Sequence, residues 1–494
     1  MAEETRTEAF REIREERIKK KSLLEEKGID PYPARVDRTH EIQALLEQFT
    51  ALEESEETVA IAGRVFSIRE HGGSLFFDLF DGTGSMQGYC KQDAVGKDIF
   101  DLFKDTVDRG DFVQVKGTCF LTKRGERSVH VTSWHMLSKS LLPIPTEHFG
   151  IKDEEERYRK RYLDILLNRE LANRFARRST FWQTARQFLL DRNYIEVETP
   201  VLETIPGGAD AKPFITHHNA LGMDVYLRIS AGELWQKKLM VAGIPKTFEI
   251  GRIFRNEGMS FEHAQDYTQL EFYEAYSDFE KGKAIVKELY LLLAEKTFGK
   301  TSFTVKGHTF DLSAPWEAYD YVSMLKDAYG IDVRNTSIEE VQETLRKAGI
   351  AQDADNVLTK ERGVDLLWKK CRSKISGPGF LVGVPVYLEP LAKKSAHDAS
   401  VVERFQVIIA GTEMGKGFSE LNDPLDQRAR FLHQAELRAS GDEEAQFADM
   451  EYVEALEYGM PPTFGFGLSE RLFSFLEGVS LREGQIFPLL RPKK

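Results

Sequence analysis

Apolar positions are sparse over residues 1–30, where Phe10, Ile13, Ile18 and Leu23 stand among charged neighbours. That spacing predicts a charged helix, ended by Pro31-Tyr-Pro33 because proline cannot continue one. Its Lys19-Lys-Lys21 run reads as a solvated face, with phosphate contact as the alternative. From Thr58 to His135 the period of the pattern falls to two. Residues 59–66, 74–79 and 86–89 predict strands, the last two joined through the turn Asp81-Gly-Thr-Gly84. A helical stretch near 95–103 follows, then strands around 112–121 and 128–133. Three strands, a helix and two strands predict a five-stranded OB barrel, a fold that stacks single-stranded bases on exposed aromatics.

Leu141-Leu-Pro-Ile-Pro-Thr146 reads as a linker. Residues 154–188 are strongly helical and basic in patches, with Arg157, Arg159, Arg161 and Arg177-Arg178. Beyond Tyr194 strands and helices mix, and 335–374 reads as a helical insertion carrying few chemical signals. The fold class is therefore α+β. A helical extension covers 1–57, the barrel 58–140, and a larger domain with an antiparallel sheet flanked by helices covers 141–494.

Composition narrows the class. With 494 residues, 41% hydrophobic and 30% charged, the chain is long enough for two or three domains with full cores. No apolar run approaches the roughly 20 residues that span a bilayer, and Met1-Ala-Glu-Glu-Thr-Arg lacks a secretory apolar core. Cys90, Cys119 and Cys371 lack metal-type spacing and read as small buried hydrophobes in a reducing cytoplasm. A net charge of −13 argues against indiscriminate polyanion binding while leaving room for a local basic surface.

The stretch richest in chemistry runs from Thr247-Phe-Glu-Ile-Gly-Arg-Ile-Phe-Arg-Asn-Glu-Gly258 to Tyr267-Thr-Gln-Leu-Glu-Phe-Tyr273. An apolar strand delivers Arg255 to its end, a loop carries Glu257 and His263, and a second strand returns with Glu271 and Tyr273. Such a hairpin makes a floor for a small charged ligand, and Arg255 offers a planar fork to a carboxylate or phosphate. On these residues the chain resembles motif 2 of the class II aminoacyl-tRNA synthetases, and in detail it is similar to their lysyl branch. A helix over 180–192 followed by Tyr194-Ile-Glu-Val-Glu-Thr-Pro200 resembles motif 1, which builds the family's dimer interface and so implies a homodimer. Gly465-Phe-Gly-Leu-Ser-Glu-Arg471 resembles motif 3. The family's last glycine lies three residues before the arginine, whereas Gly467 lies four before Arg471, with Ser469 between them.

The resemblance implies roles. Arg255 would contact the amino acid carboxylate and the α-phosphate of ATP, and Glu257 would accept the adenine amino group. Tyr267 would stack on adenine, His263 would reach the terminal phosphates, and Arg471 would sit over adenine and the γ-phosphate. Glu271 and Glu420 are acids among apolar neighbours, where a carboxylate needs a cationic partner. In lysyl relatives these positions hold the substrate ammonium, Tyr273 adds a hydrogen bond, Phe418 packs on the methylene stem, and Gly208 with Glu233 binds the α-amino group. The competing reading of each glutamate is an internal salt bridge to Arg or Lys. Mg²⁺ is also implied. Glu413 matches a metal ligand of the family, but the other expected glutamate is Gln406. Lys416 replaces an asparagine; it would repel the substrate ammonium, pair with phosphate, or pair with a nearby carboxylate. Ser230-Ala-Gly-Glu233 is one residue longer than the common form.

In the barrel, Phe76 and Gln87 match the stacking phenylalanine and base-reading glutamine that take the central anticodon uracil, and Arg64 is a candidate for the same base or its neighbours. Phe76 alternates with Phe77, so one of the two must point inward. The resemblance spans nearly the whole chain and implies a cytoplasmic lysine–tRNA ligase with lysine, ATP and lysine-specific tRNA as partners. Two alternatives stay open: a lysine ligase acting on a protein, and a non-catalytic tRNA-binding paralogue suggested by Gln406, Lys416 and the altered motif 3. Aspartyl and asparaginyl synthetases share the fold, but an acidic pair would repel aspartate.

Overall fold

The computed structural model describes residues 2–145, 153–209, 211–258, 260–350, 358–441 and 445–493, with side chains from residue 8. Thr146 of the expected linker, Asp210, and 351–357 of the expected insertion lie outside the described residues. The chain forms two compact units, 1–152 and 153–494.

The first unit opens with the helix Ala2–Glu26. Lys20 of its basic run is 2.7 Å from Asp108, and the fully buried Lys139 is 2.7 Å from Asp111. Arg17 donates to the Ser140 hydroxyl at 2.7 Å. The run is thus not simply a solvated face, because its middle lysine closes an internal ion network. Strands Thr58–His71, Ser74–Phe80, Ser85–Lys91, Phe112–Leu121 and Arg127–Ser138 form a closed barrel, with the fifth strand between the third and the fourth. The helix Lys97–Thr106 lies between the third and fourth strands in sequence, as the period predicted. Leu75, Phe77 and Leu79 fill the barrel while Phe76, Asp78 and Phe80 face outward. Cys90 and Cys119 are buried, and desolvation pushes both thiols up to about 11.

In the second unit the stretch 154–188 is three helices, Glu154–Arg159, Arg161–Leu167 and Arg169–Leu190. Its basic residues are clamps: Arg161 is fully buried on the carbonyls of Glu483 and Gln485, and Arg174 pairs with Glu483 at 2.8 Å. An eight-stranded sheet runs in the order Glu317–Asp320, Gly379–Val382, Arg404–Ile409, Thr412–Ser419, Thr463–Ser469, Asp266–Ala275, Lys246–Phe254 and Ile195–Glu196. It is antiparallel except at its two edges, where the pairings are parallel. The motif 1 strand is only the two residues Ile195–Glu196.

Period two then decides which side chains meet a ligand. Leu270, Phe272, Phe464, Phe466 and Leu468 enter the core beneath the helices Arg169–Leu190 and Phe279–Phe298. The intervening Glu271, Tyr273, Gly465 and Gly467 are left on the opposite face. Ser469 continues that small-residue series and pairs with Gln269, so the shifted motif 3 glycine does not disturb the alternation. Among the described residues, no helix is long and apolar enough to cross a membrane.

Candidate active site and nucleic-acid face

That opposite face of the sheet borders a cavity of about 420 Å³. One end is acidic, with Glu233, Glu271 and Glu420 beside Tyr273 and Phe418. Glu271 is held by neutral donors: the Ala231 N–H at 2.9 Å, the Gln269 amide at 2.8 Å and the Tyr273 hydroxyl at 3.0 Å. Glu420 has a different partner. Lys237, completely buried one turn after Glu233 in the helix Glu233–Val241, stands 2.5 Å from Glu420 and 2.8 Å from Glu233. The internal salt bridge therefore exists for Glu420 and not for Glu271. Lys237 reaches one Glu420 oxygen, and the other is left without a donor.

Three carboxyl groups share one buried ammonium, so each further ionisation among them is opposed. Desolvation, then the charge of Glu233, pushes the Glu271 carboxyl up to about 8. Desolvation also pushes Glu420 up to about 8, with Lys237 opposing it. Burial acts to lower the Lys237 ammonium, but Glu233 and Glu420 outweigh it and hold its pKa above the ordinary lysine range. An incoming cation supplies what these groups lack. Two glycines make the room. Gly208 has φ +86, and a Cβ there would lie 2.7 Å from Glu233 Cβ. A Cβ on Gly465 would lie 2.2 Å from Glu420 and 2.4 Å from the Tyr273 ring.

The other end carries Arg255, Gln406, Glu413 and Lys416. Arg255 Nε and Nη2 donate to the Ile229 carbonyl, both at 3.3 Å, with the guanidinium 5.9 Å from the Tyr267 ring centre. Glu257, His263, Tyr267 and Arg471 are not part of the cavity lining and gather around the motif 2 loop instead. Burial raises the Tyr267 phenol, and the charges of Arg255, Glu257 and Arg471 all act on it. His263 Nδ1 is 2.6 Å from the Ser260 hydroxyl; desolvation and then Arg471 lower its pKa, favouring the neutral ring. Arg471 begins the helix Arg471–Glu477, where its N–H meets the Ser469 hydroxyl at 3.3 Å. Its guanidinium pairs with Glu262, which also pairs with Lys306. No motif or spacing in the sequence marks Glu262 as part of the site.

The donor set holds one of the two glutamates that the resemblance implies for Mg²⁺, and so fits a protein-held ion poorly. Mg²⁺ takes six oxygens in octahedral geometry, and at nucleotide sites one or two protein carboxylates share it with phosphates and waters. Glu413 already accepts the Trp368 indole N–H at 2.8 Å and lies 3.4 Å from Arg372 Nε. Gln406 is neutral, and its oxygen is taken by the Arg404 guanidinium. Among the described residues, no group of three or more His, Cys, Asp or Glu is placed to hold a metal. Trp368 and Arg372 come from the helix Lys360–Arg372, so the insertion is not chemically silent; Glu361, Arg362 and Asp365 of the same helix also reach the cavity.

On the barrel's outer face Phe76 lies opposite Tyr89, with ring centres 4.9 Å apart, and Tyr89 stacks on His130 at 5.6 Å. Gln87 lies between Asp78 and Ser128 and accepts the Ser128 hydroxyl at 3.0 Å. Arg64 is not brought to this cluster. It lies opposite Phe80, donates to the Gly110 carbonyl at 3.1 Å and covers the Phe112 ring at 4.2 Å. A register irregularity between Val65 and Ser67 brings Arg69 opposite Phe76 instead, 3.8 Å from Asp78.

Residues 153–491 match the model of the class II tRNA synthetases (D, K and N), and residues 59–137 match that of the OB-fold nucleic acid binding domain. The lysine–tRNA ligase of Thermosipho africanus is 42% identical over 491 residues, covering 98% of this chain and 97% of the relative. That of Thermotoga maritima is 40% identical over 491 residues, with 98% and 97% covered. That of Moorella thermoacetica is 41% identical over 492 residues, with 99% of each covered. The cavity with its acidic and basic ends, the outward aromatics of the barrel and these full-length likenesses agree: the chain belongs to the lysine–tRNA ligase family of class II aminoacyl-tRNA synthetases.

Proposed function

We propose that the chain activates lysine with ATP as lysyl-adenylate, releases pyrophosphate and passes the lysyl group to the 3′ end of its tRNA. The observation that carries this reading is the buried cluster of Glu233, Glu271 and Glu420 beside Tyr273 and Phe418, served by the single ammonium of Lys237. Glu420, Glu271 and Tyr273 hold the side-chain ammonium over the face of Phe418, and Glu233 beside Gly208 takes the α-ammonium. Arg255 lines the substrate carboxylate up with the α-phosphate. A carboxylate oxygen attacks phosphorus while the bond to the β-phosphate oxygen breaks, so no side chain serves as nucleophile. Catalysis rests on alignment and charge neutralisation. Tyr267 and Glu257 face adenine, and His263 and Arg471 turn to the phosphates once Arg471 leaves Glu262. Mg²⁺ arrives with ATP as part of the co-substrate.

The barrel presents Phe76 and Gln87 to the anticodon, with Arg69 rather than Arg64 beside them. A homodimer forms through motif 1; Leu190 and Ile195 are exposed there, and Val201 and Leu202 directly after it. The activity belongs to the cytoplasm. The test is a screen of the amino acids for pyrophosphate–ATP exchange, followed by charging of tRNA. Lysine alone is expected to support strong exchange, and equal exchange with several neutral amino acids would defeat the reading. Charging of a protein in place of tRNA would move the assignment to the protein-modifying alternative. Phe76→Ala is expected to lower charging by about tenfold or more, since stacking is worth about 1–3 kcal/mol per base, while exchange stays within about twofold.

Lysine binding is also expected to be linked to protons. An ammonium favours ionised carboxylates, so its entry draws protons off Glu271 and Glu420. Calorimetry in buffers of different ionisation enthalpy is expected to find proton release near neutral pH. Affinity is expected to rise as pH climbs through about 8 and to level off above it, where the carboxyls ionise without help. The ligand-free fold has the opposite slope: it holds protons the unfolded chain has lost, so these groups cost it stability as pH rises through that window.

A further inference from the structure

Lys416 lies on the strand Thr412–Ser419, paired across to Gln406 on one side and Gly467 on the other. Gly467 in turn pairs with Glu271. Lys416, Gly467 and Glu271 therefore form a row across three strands, roughly 10 Å from end to end. The middle residue has no side chain, so a ligand lying on the floor over Gly467 meets Lys416 directly. Phe418 stands between Lys416 and the pocket's internal ammonium, its ring centre 5.8 Å from Lys416 Nζ and 5.2 Å from Lys237 Nζ.

At Glu389 the cations outnumber the acid. Glu389, nearly buried, is shared by Arg404 at 2.9 Å and Lys416 at 3.2 Å, so one carboxylate faces two cations. Arg404 is 8% exposed and spends its remaining contact on Gln406, whereas the Lys416 side chain is 42% exposed toward the cavity. Asp365, an acid of the insertion that also reaches the cavity, is matched by Lys369 at 2.8 Å. Lys416 is thus a cation whose ammonium is held on one side by Glu389 and is otherwise open to the cavity, beside Gln406, which stands where the resemblance implies a second metal-binding glutamate. A fixed ammonium neutralises phosphate charge at lower cost in reorganisation than an ion that must first be bound.

We propose that Lys416 contacts the triphosphate of ATP and carries the positive charge that a protein-held divalent ion would otherwise supply there. The divalent ion that ATP brings is then sufficient. This inference rests on the reading of the chain as a lysine–tRNA ligase, and its test separates the two. A non-hydrolysable ATP analogue is titrated with Mn²⁺, the bound ion being counted by electron paramagnetic resonance, for the wild type, Lys416→Asn and the double variant Lys416→Asn/Gln406→Glu. Analogue affinity and lysine affinity are measured by calorimetry, with a thermal melt to check folding.

The wild type is expected to bind one Mn²⁺ per analogue, with exchange saturating once Mg²⁺ matches ATP. Lys416→Asn is expected to weaken the analogue by about tenfold or more, the loss of one charge-assisted contact, while lysine affinity stays within about twofold. The double variant is expected to bind an additional Mn²⁺ and to respond to free Mg²⁺. A second Mn²⁺ in the wild type, or unchanged analogue affinity in Lys416→Asn, overturns the proposal. Absence of any lysine-dependent exchange in the wild type would instead overturn the ligase reading, while the Mn²⁺ count would still decide the role of Lys416.

Discussion

Replacing Arg255 with alanine is expected to lower lysine-dependent pyrophosphate–ATP exchange by about a thousandfold or more. The residue is asked to hold two anions, the lysine carboxylate and the α-phosphate, in line against their mutual repulsion. Removing one preorganised charge donor from such a site costs on the order of two to three decades in rate, and loss of alignment adds to that. The guanidinium is prepared for the task by its place at the end of the strand Lys246–Phe254 and by its two contacts to the Ile229 carbonyl. Arg255→Lys is expected to recover little, because an ammonium cannot span two oxygens with a planar fork. Steady-state exchange with separate variation of lysine and ATP is the measurement. A fall in kcat and kcat/KM together supports a role in the transition state, and a rise in KM with unchanged kcat contradicts it.

Much of this site was legible because strand alternation is a strong rule. Leu270-Glu271-Phe272-Tyr273 put two polar side chains on one face, and the fold keeps them there. The five barrel strands and the helix between the third and fourth followed from the same rule. What stayed hidden depended on partners distant in sequence or on a break in periodicity. Arg69 lies beyond the register irregularity at Val65–Ser67, which inverts the facing of every later residue on that strand. Counting by twos from Phe66 sends Arg69 inward; the fold sends it out beside Phe76. Glu389 and Arg404, which decide the state of Lys416, come from a loop and a neighbouring strand with no shared pattern. Trp368 and Arg372 look like ordinary helix residues until the helix packs beside Glu413. Lys237 had a readable signal, since Glu233 and Lys237 are one helical turn apart, but that spacing is as common on solvated helices as in buried sites.

Lys237 and Glu420 together give the sharpest test of the pocket. Glu420→Gln leaves the substrate ammonium facing an amide in a desolvated site. Breaking a buried charge pair from one side costs about 3–5 kcal/mol, so KM for lysine is expected to rise by about two to three and a half decades while KM for ATP changes little. Lys237→Met acts on the free protein instead. It strips Glu420 of its counter-ion and leaves three carboxylates without an internal cation, so the ligand-free melting temperature is expected to fall. Saturating lysine returns an ammonium to Glu420, and the lysine-induced rise in melting temperature is expected to be larger in Lys237→Met than in the wild type. The double variant Glu420→Gln/Lys237→Met removes both charges, and is expected to be more stable without ligand than Lys237→Met alone. These outcomes distinguish a pocket built to receive a cation from an ordinary buried salt bridge. The latter would lose the same stability in Lys237→Met but would gain no additional protection from lysine.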